Sequence, residues 1–385
     1  MKKKIFYWSP CLNPVGTVIS TINSSLSLSK YSRDYDVSII NSCGEWDKFK
    51  SEFFEKNVKV IDIGPKYFKY LPKTGFLQSR FSYLLIFFIS FFPLLRILKK
   101  NNPNFIIAHL ITSLPIIIFS LFDLKSELIL RISGMPKLNF IRVSLWKFCS
   151  KKIRYITCPS LELKNKIVNT KIFEKIKIFY LPDAVININK FKKQIKTSNK
   201  IKDIIENKSI IFLAAGRLTK QKNFTYLIEE FSKFYFEKNN SHLIILGAGE
   251  DFKKLENLIK EKQLQKVIHL IGKVDNIFSY MKDSHAFILS SKWEEMGFVI
   301  IEAALSNLYI ISSNCPNGPS EFLNNGSDGI LYENNQKDAL YQSLIKFSKL
   351  ENKTKQKSKI NIKKNSINFT MFRHFKILDK ILSYK

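Results

Sequence analysis

The chain has 385 residues, 45% of them apolar and 24% charged, a globular composition with enough length for two hydrophobic cores. Its formal net charge is +30, but only eight of the 62 basic side chains are Arg and no groove-reading module accompanies them. The charge therefore points to an anionic membrane, a polyanionic substrate or compositional drift, and away from nucleic acid. Five scattered cysteines, Cys11, Cys43, Cys149, Cys158 and Cys315, contain no C-x-x-C pair. That excludes a disulfide framework and a structural zinc site, and predicts a cytoplasmic protein.

Residues 4–8 read as a first buried strand, too short an apolar run, before Ser9-Pro10, for a secretory signal. A loop with Pro10, Pro14 and Gly16 leads to a helix over 17–28, the opening of a Rossmann-like unit. Strands follow at 36–41 and 58–63. Residues 81–95, bracketed by Arg80 and Arg96, are the most hydrophobic run and fall short of the roughly 20 needed to span a bilayer. They predict a buried helix or, with Lys99 and Lys100 beside it, a helix lying in a membrane interface. Strands at 104–109, 128–132 and 155–158 are continuously apolar, as strands buried on both faces of a parallel sheet are.

The pattern fails between 183 and 205, and a second α/β series then begins. Strands at 209–214, 242–246, 267–271, 286–289, 309–312 and 329–332 alternate with helices at 223–236, 253–262, 276–282 and 297–306. A last helix covers 369–382. The division expected is a first domain over 1–185, a linker over 186–205, a second domain over 206–365 and a terminal helix over 366–385. The alternation argues for doubly wound parallel sheets.

Ligands of such sheets bind beyond the carboxyl ends of the strands. After 209–214 come Gly216, Arg217, Lys220, Gln221, Lys222 and Asn223. Arg217 offers a planar fork for phosphate oxygens and Lys222 a mobile charge, together able to hold a diphosphate without a metal. After 286–289 comes a loop with Trp293, Glu294, Glu295, Met296 and Gly297, feeding a helix N-terminus at Phe298, a ready anion site. Glu302 follows among Ile300, Ile301, Ala303 and Ala304, where a carboxylate needs donors such as ribose hydroxyls. Gly247-Ala248-Gly249 is a partial dinucleotide pattern, with Phe252 in place of its third glycine, and leaves an NAD-dependent oxidoreductase as the alternative. A non-enzymatic membrane- or polyanion-binding protein is the other alternative. Asp34-Tyr35-Asp36 has the D-x-D form but precedes a strand, on the wrong side of the sheet for a metal, and no metal is expected.

The segments AAGRLTKQKNFTYLIEEF, LGAGED, IGKVDNIFSYMKDSHAFILSS, WEEMGFVIIEAALSN and CPNGPSEFL resemble, in order and spacing, the donor half of family 4 glycosyltransferases. The fourth resembles their E-x7-E signature. RISGMPKLN, ITCPS and AHLITSLP extend the resemblance into the first half, closest to enzymes of bacterial surface polysaccharides. The resemblance implies a GT-B fold, an α/β architecture of two Rossmann-like doubly wound domains facing across a cleft. It implies a retaining, metal-free transfer from a UDP- or GDP-sugar to a glycan or lipid-linked glycan, in capsule, O-antigen or lipopolysaccharide synthesis. Peripheral contact with the inner face of an anionic plasma membrane is compatible with it.

Residue by residue, Arg217 and Lys222 would bind the donor diphosphate, Glu302 the ribose, and Glu294 the transferred sugar. Backbone N–H groups at Gly297 and Phe298 would meet sugar and phosphates, and residues 272–276, from Gly272 to Asn276, would cradle the base. Gly16 would approach the diphosphate from the first domain, and His109 matches the family's active-site histidine. Arg131 and Ser133 are further candidates, and the terminal helix would pack back on the first domain. Two departures stand out. The loop SPCLNPVGTVIS has one glycine where many relatives have two. Glu295 follows Glu294 where many place glycine, and the spacing to Glu302 favours Glu294.

Overall fold

The computed structural model describes residues 2–12, 16–72, 76–199, 201, 205, 209–334 and 336–384. The chain divides into two compact units, Met1–Val185 with Met371–Lys385, and Ile186–Thr370.

The first unit runs β1 (Lys3–Trp8), α1 (Gly16–Tyr31), β2 (Tyr35–Asn41), α2 (Lys50–Glu55), β3 (Lys59–Asp62), α3 (Phe76–Asn101), β4 (Phe105–Ala108), α4 (Ser113–Leu121), β5 (Glu127–Arg131), α5 (Phe140–Cys149), β6 (Ile153–Cys158), α6 (Leu161–Asn169) and β7 (Ile178–Tyr180). Among the described residues its strands form one parallel sheet in the order β3-β2-β1-β4-β5-β6-β7. Consecutive residues of β1 and β4 are buried, as helices on both faces of a parallel sheet require.

The second unit runs α7 (Ile188–Gln194), β8 (Ile210–Ala215), α8 (Phe224–Lys238), β9 (Ser241–Leu246), α9 (Phe252–Glu261), β10 (Ile268–Gly272), α10 (Ile277–Lys282), β11 (Ala286–Leu289), α11 (Phe298–Leu305), β12 (Tyr309–Ser313), α12 (Pro319–Phe322), β13 (Ile330–Tyr332), α13 (Ala339–Lys349) and α14 (Asn352–Ser366). Its sheet is parallel in the order β10-β9-β8-β11-β12-β13. A final helix, α15 (Met371–Ser383), returns to the first unit and lies on α1. There the small side chains of α1 let His374 reach Ser24 at 2.7 Å, while Tyr7 meets the same hydroxyl at 2.9 Å.

Two stretches without a clear sequence period are helical. Within 186–205, the expected linker, α7 belongs to the second unit. Asn187 caps it by accepting from the Lys190 amide at 3.2 Å, and Phe191 meets Phe278 edge-on at 5.0 Å. The Lys- and Asn-rich run near 353–365 forms α14, which buries a stripe of Ser358, Ile362 and Ser366 at four-residue spacing.

Arg131, weighed above as a site residue, has a structural task. At the end of β5 it donates through Nη1 to the Leu181 carbonyl at 2.6 Å and through Nη2 to Asp183 Oδ1 at 2.5 Å. The Ser20 hydroxyl of α1 donates to the same Asp183 oxygen. Both charges are buried, so removing one strands the other at a cost of about 3–5 kcal/mol. Asp183→Ala is expected to lower the protection of β1, α1 and β5 amides by about that amount. Native-state hydrogen exchange checks this, with β8 to β12 unchanged.

Candidate functional site

The carboxyl edge of the second sheet is closed by backbone contact. The Gly216 amide donates to the Leu246 carbonyl, Leu218 to Ala248, and Asp251 back to Leu218, each at 3.0 Å. A Cβ on Gly247 would fall 1.9 Å from the Gly216 carbonyl oxygen, and one on Gly249 2.2 Å from that of Leu218. The two glycines thus let the β8 and β9 turns touch.

From the other side, the turn after β8 is tied to the loop after β11. Gln221 donates through Nε2 to the Trp293 carbonyl at 2.8 Å, Lys292 donates its amide to the Gln221 carbonyl at 2.8 Å, and the Ser290 hydroxyl donates to the Lys222 carbonyl at 2.7 Å. At the centre, Lys222 Nζ pairs with Glu294 Oε1, which also accepts from the Ser291 hydroxyl at 2.5 Å. Glu294 is 7% exposed, whereas Glu295 faces solvent, so the inward carboxylate is Glu294. Arg217 stands exposed at the rim, 3.4 Å from Gln221 Oε1. Ser291 and Gln221 were assigned no role from sequence; the short hydroxyl at a strand end was the available signal.

Gly297 precedes α11 with φ +68°, a left-handed conformation that favours glycine, and provides no side-chain cap. The first amides of α11, from Phe298 onward, therefore lack a capping side chain at the loop that carries Glu294. Gly318 fits closely behind this loop, where a Cβ would lie 2.7 Å from the Glu295 carbonyl oxygen. Glu302, one turn on, is half-buried; its carbonyl accepts from Ser306, but its carboxylate has no hydrogen-bonding partner among the described residues. Burial pushes its carboxyl up to about 7, with Lys190 of α7 acting in the opposite direction.

The expected base cradle differs in detail. Gly272 turns at φ +88° with open space around it. Asn276 is engaged: its oxygen caps α10 at the Phe278 amide, 3.1 Å away, and its nitrogen donates to the Gln194 carbonyl at 2.8 Å and Thr197 Oγ1 at 2.6 Å. Its side chain holds the 194–197 segment and is not free for a base.

In the first unit, His109 follows β4 and lines a cavity of about 500 Å³ with Ile111, Arg131, Ser133 and Arg142. It is 7% exposed, and burial, followed by the charges of Arg131 and His374, holds its pKa well below the usual range. The imidazole is therefore neutral. Its Nδ1 lies 3.2 Å from Thr21 Oγ1, whose hydroxyl donates to the Thr17 carbonyl at 2.8 Å. The Thr21 hydroxyl also reaches Ser9 Oγ at 3.2 Å; when its proton goes to Thr17 or Ser9, the ring proton sits on Nδ1 and the Nε2 lone pair is left. Gly16 opens α1 and is exposed; residues 13–15 of its loop lie outside the described residues.

Residues 195–365 match the family model described as Glycosyl transferases group 1. The match lies wholly within the second unit. The chain is 31% identical over 205 residues to the UDP-Gal:alpha-D-GlcNAc-diphosphoundecaprenol alpha-1,3-galactosyltransferase of Escherichia coli, covering 52% of each chain. The match thus spans about half the length of that relative. It is 24% identical over 347 residues to the GalNAc-alpha-(1->4)-GalNAc-alpha-(1->3)-diNAcBac-PP-undecaprenol alpha-1,4-N-acetyl-D-galactosaminyltransferase of Campylobacter jejuni, covering 89% of this chain and 88% of that one. Its fold matches Anabaena HepE, solved with UDP and glucose, at a TM-score of 0.74 and 14% identity, over 100% of both chains. These similarities support the glycosyltransferase reading and give no support to the oxidoreductase alternative.

The two glycine environments predict unequal losses for one added methyl. Gly247→Ala is expected to displace the 216–218 turn, lowering the melting temperature and nucleotide affinity together. Gly272→Ala meets no neighbour and carries only the left-handed strain, about 1–2 kcal/mol. Thermal denaturation and calorimetry on the pair check this; equal losses would contradict the close backbone approach.

Proposed function

We propose that this glycosyltransferase moves a sugar from a nucleoside-diphosphate sugar to a lipid-linked glycan, retaining anomeric configuration, in the assembly of a cell-surface polysaccharide. The observation that carries the donor half is the Lys222–Glu294 pair at the carboxyl edge of one sheet, with Arg217 on the same turn as Lys222 and Glu302 on the helix that follows Glu294. The names of the Escherichia coli and Campylobacter jejuni relatives support the acceptor class, and the first of them supports UDP as the nucleotide.

The chemistry follows from charge. Breaking the glycosyl–phosphate bond develops negative charge on the leaving diphosphate, and preorganised cations and amides stabilise it without reorganisation. Arg217 presents its fork at the rim. Lys222 keeps further donors beyond the one given to Glu294. The amides at Gly297 and Phe298 add a third source, so the donor site needs no metal. Glu302 accepts the ribose hydroxyls, replacing lost solvent, and Glu294, fixed by Lys222 and Ser291, faces the transferred sugar. Neutral His109 offers its Nε2 lone pair to a hydroxyl in its own unit's cavity. A lipid-linked acceptor brings the enzyme to a bilayer, and a cytoplasmic, membrane-peripheral location with contact through α3 is part of this proposal.

Calorimetry with UDP, GDP, ADP and CMP, in EDTA, tests the donor site. One diphosphate is expected to bind selectively, and Arg217→Ala to weaken it about 10- to 100-fold, the range of a charge-assisted hydrogen bond. Loss of binding in EDTA, or wild-type affinity in the variant, would overturn the assignment.

The Glu302 carboxyl adds a pH test. Free protein holds its proton up to about pH 7, while hydroxyl donors of a bound ribose favour the ionised form. Nucleotide binding is therefore expected to release a proton and to tighten as pH rises from below 7 to above it. Glu302→Gln should bind less tightly and lose that pH dependence.

A further inference from the structure

The amino-terminal edge of the first sheet carries a pocket that the reaction does not use. Ser126 and Glu127 at the start of β5, Lys151, Lys152 and Arg154 at the start of β6, and Lys177 before β7 line a cavity of about 230 Å³. Ligands of the reaction belong to the opposite, carboxyl edge of such a sheet. The four cations outnumber the two lining carboxylates, Asp123 and Glu127, and the pairings among them are loose. Lys152 lies 3.9 Å from a fully exposed Asp123, and Arg154 Nε is 3.6 Å from Glu127. Lys177 is engaged by Glu174 at 2.9 Å. One polar group points to a ligand: Ser126 is 7% exposed, and its hydroxyl oxygen has no hydrogen-bonding partner among the described residues. A buried hydroxyl without a partner costs stability unless something fills the role.

The surroundings select the ligand. Phe122, in the pocket wall, stacks edge-on with Phe91 of α3 at 6.5 Å and lies under Lys99 Nζ at 5.0 Å. The pocket therefore adjoins the C-terminal half of α3. That helix exposes Phe81 (61%), Leu84 (57%), Phe88 (69%) and Phe92 (73%) at helical spacing, and the stripe runs into exposed Arg96, Lys99 and Lys100. By length and composition, Arg80–Asn101 is able to cross a membrane, with 33% of its most apolar window buried. Yet Leu94 and Leu98 on its other face are fully buried in the core of the first unit, so a spanning position would tear that core apart. A helix with one face in the core and one exposed apolar face lies along an interface. Phe148 (74% exposed), just before Lys151, and Leu121 (63%), next to Phe122, continue the apolar surface to the pocket.

We propose that the pocket around Ser126, Lys151 and Lys152 binds the headgroup phosphate of an anionic phospholipid while the exposed stripe of α3 enters the apolar boundary beneath it. This rests on the membrane contact of the proposed function and adds a specific lipid site to it. Charge complementarity and the junction of an apolar ridge with a basic cavity identify a bilayer as the occupant. The general charge of +30 would bind anionic surfaces anywhere; the pocket concentrates that affinity at one place.

Cosedimentation of the full chain with phosphatidylcholine vesicles, with and without phosphatidylglycerol, tests it. Wild type is expected to bind only the anionic vesicles. Lys151→Glu with Lys152→Glu should weaken binding about tenfold or more, given about 1 kcal/mol per basic residue near the surface. Lys253→Glu with Lys254→Glu on α9 makes the same charge change elsewhere and should bind as wild type. Lys151→Gln with Lys152→Gln is the milder form if the reversal disturbs folding, and melting curves monitor it. Equal losses in the pocket and α9 variants overturn the site in favour of diffuse charge. Wild-type binding by the pocket variants also overturns it; if Phe88→Ser with Phe92→Ser still releases the protein, contact through α3 survives alone. Failure of wild type to bind anionic vesicles overturns both readings. Release from vesicles by inorganic phosphate, but not by chloride at equal ionic strength, is expected if the pocket holds the headgroup; phosphate binding to the protein without release would overturn the lipid source and assign the pocket to free phosphate.

Discussion

The absence of two Cβ atoms is the constraint on which the carboxyl edge of the second sheet depends. Parallel strands deliver their loops to one edge, but loops become a site only when they stop moving relative to each other. At Gly247 and Gly249 the chain comes within a carbon's width of the Gly216 and Leu218 carbonyls, and reciprocal amides lock the turns together. Gln221, Lys292 and Ser290 then bind the same turn from the β11 side. Arg217 is consequently an exposed side chain on an immobilised backbone, as the proposed diphosphate contact would require.

Two buried ion pairs show how identical chemistry serves different ends. Arg131 is surrounded: Leu181 and Asp183 take its donors and Ser20 completes the carboxylate, so the pair fastens β5, α1 and the 181–183 segment together. Lys222 and Glu294 also shield each other, but they sit on loops beyond the strand ends, with Arg217 on the same turn and α11 beginning just past Glu294. Glu302 lies on the following helix with its ionised carboxyl destabilised by burial and only partly relieved by Lys190. Satisfied burial there would stabilise the fold more and bind a sugar less. The unsatisfied carboxylate is the kind of local cost that marks a ligand site.

Strand alternation was readable because parallel strands are continuously apolar: β1, β4 and β8 to β12 stand where the apolar runs predicted them, displaced by a residue or two. What escaped was structure held by few residues. Helix α14 has a single apolar side chain in its buried stripe, so no 3.6-residue period shows, and α7 depends on one asparagine cap. At the site, residue types and order were visible, but partners were not. Nothing in the sequence distinguishes Glu294 from Glu295 except spacing; the fold separates them by turning one toward Lys222 and Ser291 and the other to solvent. Arg131 looked like a strand-end ligand because position alone cannot reveal that Asp183, 52 residues away, has claimed it.

The distribution of charge matters more than its sum. A surplus of +30 spread evenly would be screened within about a Debye length and would favour no orientation on an anionic surface. In the first unit, cations gather at the amino-terminal edge of the sheet, beside an apolar helix stripe, whereas His109 and its cavity lie toward the carboxyl ends of β4 and β5. Since all strands of that sheet are parallel, these features occupy opposite edges of one rigid layer. A surface contact at one edge therefore leaves the other edge uncovered, and its apolar ridge resists rotation in a way that a lone basic patch cannot. The parallel topology that collects the chemistry at one edge thereby frees the opposite edge for anchoring.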